Sequence, residues 1–154
     1  LQPITIFITY SFLHAGLTHL VMNMIALAVF GMAILRQVGT WRFLLAYFLC
    51  AIGGAIGYLI LSNSTAPMVG ASGALFGLLG ISICWTYLDR RHYGQGIESI
   101  AGVLVVLVLY NVLPWLIMHG QLAWETHLGG FITGWMIALY WGRQTYRRQS
   151  RPQI

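Results

Sequence analysis

Apolar positions in this chain run on in blocks of about twenty residues, with little of the polar punctuation that divides the helices of a water-soluble fold. Five blocks are long enough to cross a hydrocarbon layer about 30 Å thick, which takes roughly 20 helical residues. They run from about Leu17 to Leu35, Phe43 to Leu61, Ser72 to Leu88, Ile97 to Met118 and Trp124 to Tyr140. The pattern predicts an all-α, polytopic transmembrane bundle with five spanning helices. No long repeat or low-complexity linker divides it, so residues 1–154 read as a single membrane domain, with 143–154 a basic cytoplasmic tail.

Composition points the same way. Hydrophobic residues make up 58% of the chain and charged residues 7%, against about 45–50% and about 25% in an ordinary soluble domain. The chain opens on Leu1 rather than Met, and its first dozen residues are too few to span and carry no basic segment. The expectation is a fragment of a longer protein with no signal peptide in view. Cys50 and Cys84 each fall inside an apolar block, without CxxC or Cys/His ligand spacing, and read as neither a disulfide nor a metal site.

The net charge of +5 comes from arginines, and their positions matter more than their sum. Arg36 and Arg42 flank the turn between the first two blocks, Arg90 and Arg91 follow the third, and Arg143, Arg147, Arg148 and Arg151 follow the fifth. With alternating helices all of them fall on one side. Residues 1–16, 62–71 and 119–123 carry no Lys or Arg. The positive-inside rule makes the arginine side cytoplasmic. Basic residues in these places are orientation signals against anionic headgroups, so nucleic acid is not an expected partner.

Ser72, His127, His14, His19 and Asn23 then share one depth, near the helix ends facing away from the cytoplasm. Small residues mark close helix contacts in lipid, where apolar side chains gain little by leaving the hydrocarbon. Gly73, Gly77 and Gly80 form one smooth stripe below Ser72, and Gly130 and Gly134 form another below His127. Packing the stripes together places the hydroxyl beside the imidazole. Gly53, Gly54 and Gly57 offer a further close approach. Plainer roles exist for each polar residue: a serine after Gly70 at a helix start suits an N-cap, and His14, Asn23 or His127 can hold the bundle by hydrogen bonds. Together, however, they form a buried polar group in a membrane, which is expensive and usually functional.

Elimination narrows the chemistry. There is no lysine for a Ser-Lys pair, the lone aspartate Asp89 lies on the arginine side, and HExxH is absent. What remains is a serine activated by a histidine. Glu98 is on the wrong face and Glu125 is only two residues from His127 on a helix, so a dyad is expected rather than a triad. His19 and Asn23, four residues apart on one helix face, can join the Ser72 backbone N–H as donors to an oxyanion. A site of His14, His19 and His127 around a metal is conceivable but lacks a supporting carboxylate beyond Glu125. No metal is assigned.

These residues resemble the rhomboid family of intramembrane serine proteases over nearly the whole chain. GASGALFG at 70–77 is similar to the family's GxSG nucleophile motif, HAGLTHLVMN at 14–23 to its second-helix pattern, and THLGGFITG at 126–134 to its sixth-helix histidine and glycines. The resemblance implies a cofactor-free endopeptidase with Ser72 as nucleophile, His127 as general base, and His19 and Asn23 in the oxyanion hole. His14, Gly70, Gly73, Phe76, Gly130 and Gly134 would support the site. Implied partners are the lipid bilayer and single-pass transmembrane substrates cut near the non-cytoplasmic face. A bacterial plasma membrane is expected.

Against the family pattern, the first helix and long loop of the six-helix core are missing. Thr5-Ile6 stands where many members have Trp-Arg, and Phe76 stands where many have tyrosine stacked on the histidine. The block with Val103 to Leu109 and Pro114 would match the mobile fifth helix that gates substrate entry. Two other functions compete. A non-catalytic relative that binds transmembrane helices for quality control would typically lack the serine or histidine. A channel or transporter would carry polar residues deeper and in both halves.

Overall fold

The computed structural model describes residues 4–64, 67–117 and 123–149, and among these all regular structure is helical. A short helix α1 (Ile6–Thr9) runs into a 3-10 turn, Tyr10–Phe12. Then come α2 (Leu17–Val38), α3 (Thr40–Leu61), α4 (Ser72–His92), α5 (Glu98–Ile117) and α6 (Trp124–Gln149). Helices thus occupy all five apolar blocks, and α1 is an addition. Met118, the loop residues 65–66 and 118–122, and tail residues 150–154 lie outside the described residues.

Among the described residues, α2, α3 and α4 are long and apolar enough to cross a membrane by length and composition. In α5 the apolar stretch, Glu98–Leu109, is shorter than a span needs, and α6 is not among the qualifying helices, so three of the five expected spans are found among the described residues. One wider π turn, Leu27–Gly31, interrupts α2. Gly39, at a φ of +79°, is the one-residue joint between α2 and α3, a backbone conformation that costs a side-chain-bearing residue dearly.

Burial runs opposite to that of a soluble protein. Leu17, Val29, Leu59, Ile60, Val106 and Met136 are exposed, whereas Asn23, Thr126 and His127 are buried alongside Ala46, Ala51, Ala74 and Ala138. Such a surface is stable only against lipid, for water would leave a contiguous apolar exterior unsatisfied.

Glycines set the register. A methyl group on Gly130 would overlap the backbone oxygen of Gly73, and one on Gly134 would overlap that of Gly77. Rising numbers pair with rising numbers, so α4 and α6 run parallel. On α3 the order reverses: Gly53 meets Gly129 and Thr133, while Gly57 meets Glu125 and Gly129. The α3 helix is therefore antiparallel to α6, and α4 and α6 begin at the same end. Among the described residues these three helices share the most extensive contacts. In contrast, α5 leans lightly on the rest, with Ile100 its one buried side chain among those described.

Candidate active site

Ser72 is the first residue of α4, and Ala71, in right-handed helical geometry, takes the N-cap position without a side-chain bond. The serine hydroxyl is thus not spent on capping. It lies 2.8 Å from His127 Nε2. The parallel register of α4 and α6 makes this possible, because Gly73 and Gly130 bring the two backbones into contact within one turn of both side chains. His127 is 6% exposed.

The other imidazole nitrogen, Nδ1, lies 2.6 Å from Asn111 Oδ1. Asn111 projects from α5, and its Nδ2 donates to the Leu107 carbonyl at 2.8 Å. Phe76, one turn below Ser72, stacks flat on His127 with centroids 4.2 Å apart and planes 4° from parallel. Glu125 is buried beside this group, but the partner of Nδ1 is the asparagine amide and not a carboxylate.

Gly70 enters α4 at a φ of +114°. Its N–H donates to the Tyr10 carbonyl at 3.1 Å, and the Tyr10 hydroxyl donates to Ala51 O at 2.8 Å. Tyr10, 1% exposed, therefore ties α1 and α3 to the loop that delivers the serine. The open face of Gly70 is filled by His19: a methyl there would sit 2.7 Å from His19 Cε1, 2.9 Å from Nε2 and 3.8 Å from Ser72 Oγ. His19 Nδ1 accepts a long 3.4 Å bond from the Ala15 N–H. In a neutral ring the proton then resides on Nε2, the edge turned towards Gly70 and Ser72.

Asn23 is buried and donates from Nδ2 to the His19 carbonyl at 2.8 Å, one turn back on α2. The His14 ring meets His19 edge to face at 5.3 Å, and its Nε2 is buried without a hydrogen-bond partner. Among the described residues no three His, Cys, Asp or Glu side chains converge in a metal-binding group. Cys50 and Cys84 are buried free thiols.

Beside the Ser72–His127 pair, a cavity of about 720 Å³ lies between α4, α5 and α6, bounded by Phe76, Leu107, Asn111, Trp124, His127 and Phe131 among others. Among the described residues its wall is apolar except at Asn111, His127 and the Trp124 indole. Asn111 and Tyr10 do not stand out in the motif reading. The signal for Asn111 was present, since an amide inside the apolar block from Ile97 to Met118 is costly in lipid and asks for a partner. Tyr10 lies before the first block and carries no comparable signal.

A profile of the rhomboid domain matches residues 2–144 of this chain. The chain belongs to the rhomboid family. Among rhomboid relatives, RHOMBOID-like protein 6, mitochondrial, of Arabidopsis thaliana is 34% identical over 84% of this chain and 41% of its own length. Rhomboid protease GluP of Bacillus subtilis is 33% identical over 82% of this chain and 24% of its own length. The putative rhomboid protease YdcA of the same bacterium is 32% identical over 92% of this chain and 69% of its own length. The chain thus spans about two fifths or less of several rhomboid relatives that it matches.

Proposed function

We propose that this chain is the core of an intramembrane serine endopeptidase that cuts single-pass transmembrane proteins near the non-cytoplasmic face. The observation that carries the reading is the 2.8 Å contact between Ser72 Oγ and His127 Nε2, made by side chains from two separate helices. Membership of the rhomboid family, with relatives named as proteases, supports it. In this reading Ser72 Oγ attacks the scissile carbonyl carbon while its proton passes to His127 Nε2. The imidazolium then protonates the departing amine, and His127 next takes a proton from the water that hydrolyses the acyl-enzyme.

The developing oxyanion would be met by the Ser72 N–H, one of the unpaired donors at the start of α4, and by His19 Nε2–H. Asn23 would contribute its second amide proton, since the first is engaged by the His19 carbonyl. No cofactor enters this chemistry. His14 would support His19 by edge-to-face contact. A non-catalytic helix-binding role is disfavoured by the pairing of both residues of the dyad.

In the same proposal α5 and α6 cross the membrane with α2, α3 and α4, giving five spans in one domain of 1–154 with a basic tail from 143. The arginine-bearing ends face the cytoplasm of a bacterial plasma membrane. A fluorophosphonate probe on the purified full-length protein tests the core of this reading. Labelling is expected on wild type, absent in Ser72→Ala and strongly reduced in His127→Ala. Equal labelling of wild type and Ser72→Ala would reject the nucleophile assignment.

A further inference from the structure

We propose that Asn111 is a positioning residue which fixes the tautomer and ring orientation of His127; this rests on the Ser72–His127 reading above. An asparagine side chain has one acceptor end and one donor end. The donor end of Asn111 is committed to its own helix, because Nδ2 donates to Leu107 O at 2.8 Å. That carbonyl is an acceptor only, so the amide cannot be turned over without setting oxygen against oxygen.

Oδ1 is therefore the atom that faces His127 Nδ1 at 2.6 Å. An acceptor there requires Nδ1 to carry the proton. In the neutral ring Nε2 is then left with its lone pair, directed at Ser72 Oγ 2.8 Å away. The Ser72 hydroxyl donates to it, which is the polarity a general base needs. The chain of donors runs Ser72 O–H to His127 Nε2, His127 Nδ1–H to Asn111 Oδ1, and Asn111 N–H to Leu107 O. Every step has one permitted direction.

Phe76 defines the plane of the ring by stacking, but a flat stack leaves the imidazole free to turn over in that plane. Asn111 removes this freedom. The choice of an amide suits the setting. Asn111 borders an apolar cavity, where a carboxylate would demand a counter-charge, whereas a neutral acceptor orients the ring without one. Because Asn111 comes from α5, the orientation holds only while α5 lies against α6.

The test uses fluorophosphonate labelling of the full-length protein, with kinact and KI measured separately. Asn111→Leu removes the acceptor and is expected to lower kinact by about 10- to 100-fold with KI little changed. The loss is smaller than the roughly 10⁴-fold seen when an orienting partner imposes the wrong tautomer, because leucine removes the preference without reversing it. Asn111→Asp is expected to restore kinact towards wild type. Its protonated carboxyl can donate to Leu107 O and accept from Nδ1, the polarity of the native amide.

Wild-type kinact in Asn111→Leu, or an Asn111→Asp as slow as the leucine variant, would overturn the proposal. Should the leucine variant fail to fold, Asn111→Ala, which also lacks the acceptor, gives the same contrast. Persistent labelling of Ser72→Ala would instead sink the nucleophile reading, whatever the Asn111 variants do.

Discussion

Phe76 lies face to face on the His127 imidazole, its centroid 4.2 Å away and its plane tilted by only 4°. The pair joins α4 to α6 one turn below the serine, so ring packing and the Ser72 hydrogen bond constrain the same imidazole from two directions. The aromatic face does this work without a hydroxyl.

Removing that face should therefore loosen the histidine without unfolding the bundle. An aromatic pair contributes about 0.5–1.5 kcal/mol beyond its buried area, which corresponds to roughly 2- to 12-fold in rate if the stack orients the reacting ring. Phe76→Ala is expected to slow turnover of a transmembrane substrate by at least that range, and Phe76→Tyr to stay near wild type. Unchanged turnover in the alanine variant would show that the stack is packing alone.

The open face of Gly70 gives a second expectation. Alanine there would combine a φ of +114° with a methyl driven into the His19 ring. Gly70→Ala should displace the His19 Nε2 edge, and its turnover should fall alongside that of His19→Ala. The loss of one oxyanion donor costs about 10²–10³-fold in kcat. If kcat in His19→Ala remains within measurement error of wild type, His19 is not an oxyanion donor.

Helix contact through glycine predicts a contrast between two chemically identical changes. Gly130→Ala would push a methyl into the Gly73 carbonyl, whereas a methyl on Gly102 of α5 meets nothing within 4 Å. Overpacking costs about 1–3 kcal/mol, and alanine gains about 1 kcal/mol over glycine in a helix where nothing obstructs it. Thermal unfolding in detergent should show Gly130→Ala destabilised and Gly102→Ala unchanged or stabilised. Equal behaviour would contradict the α4–α6 register.

Orientation is open to cysteine tagging, since Cys50 and Cys84 are both 0% exposed and should contribute little background. Ser64→Cys, after α3, and Gln149→Cys, at the end of α6, should react with a membrane-impermeant reagent from opposite faces. Labelling of both from one face would overturn the assignment of the arginine side.

Much of the fold was legible because each apolar block between loops is nearly one helix. Starts at Leu17, Ser72 and Trp124 coincide with the block edges. The motif residues were legible too, since Ser72 and His127 each head a glycine stripe whose spacing fixes which helix face closes on its neighbour. Asn111 was harder. Its cost in lipid is visible in the sequence, but its partner is sixteen residues away on another helix, and no periodicity links them. Tyr10 precedes the first block, and only the folded chain brings its carbonyl to Gly70.

The order of apolar blocks and the glycine spacing are properties of a linear string, and they determined the helices and the faces through which they touch. Local periodicity carries that information because a helix repeats every 3.6 residues. Which nitrogen of His127 faces the serine, and which amide holds it, was decided by tertiary structure alone. Those relations depend on the angle at which α5 meets α6 and on the donors left over after each helix has satisfied its own backbone, quantities that exist only once the helices have packed.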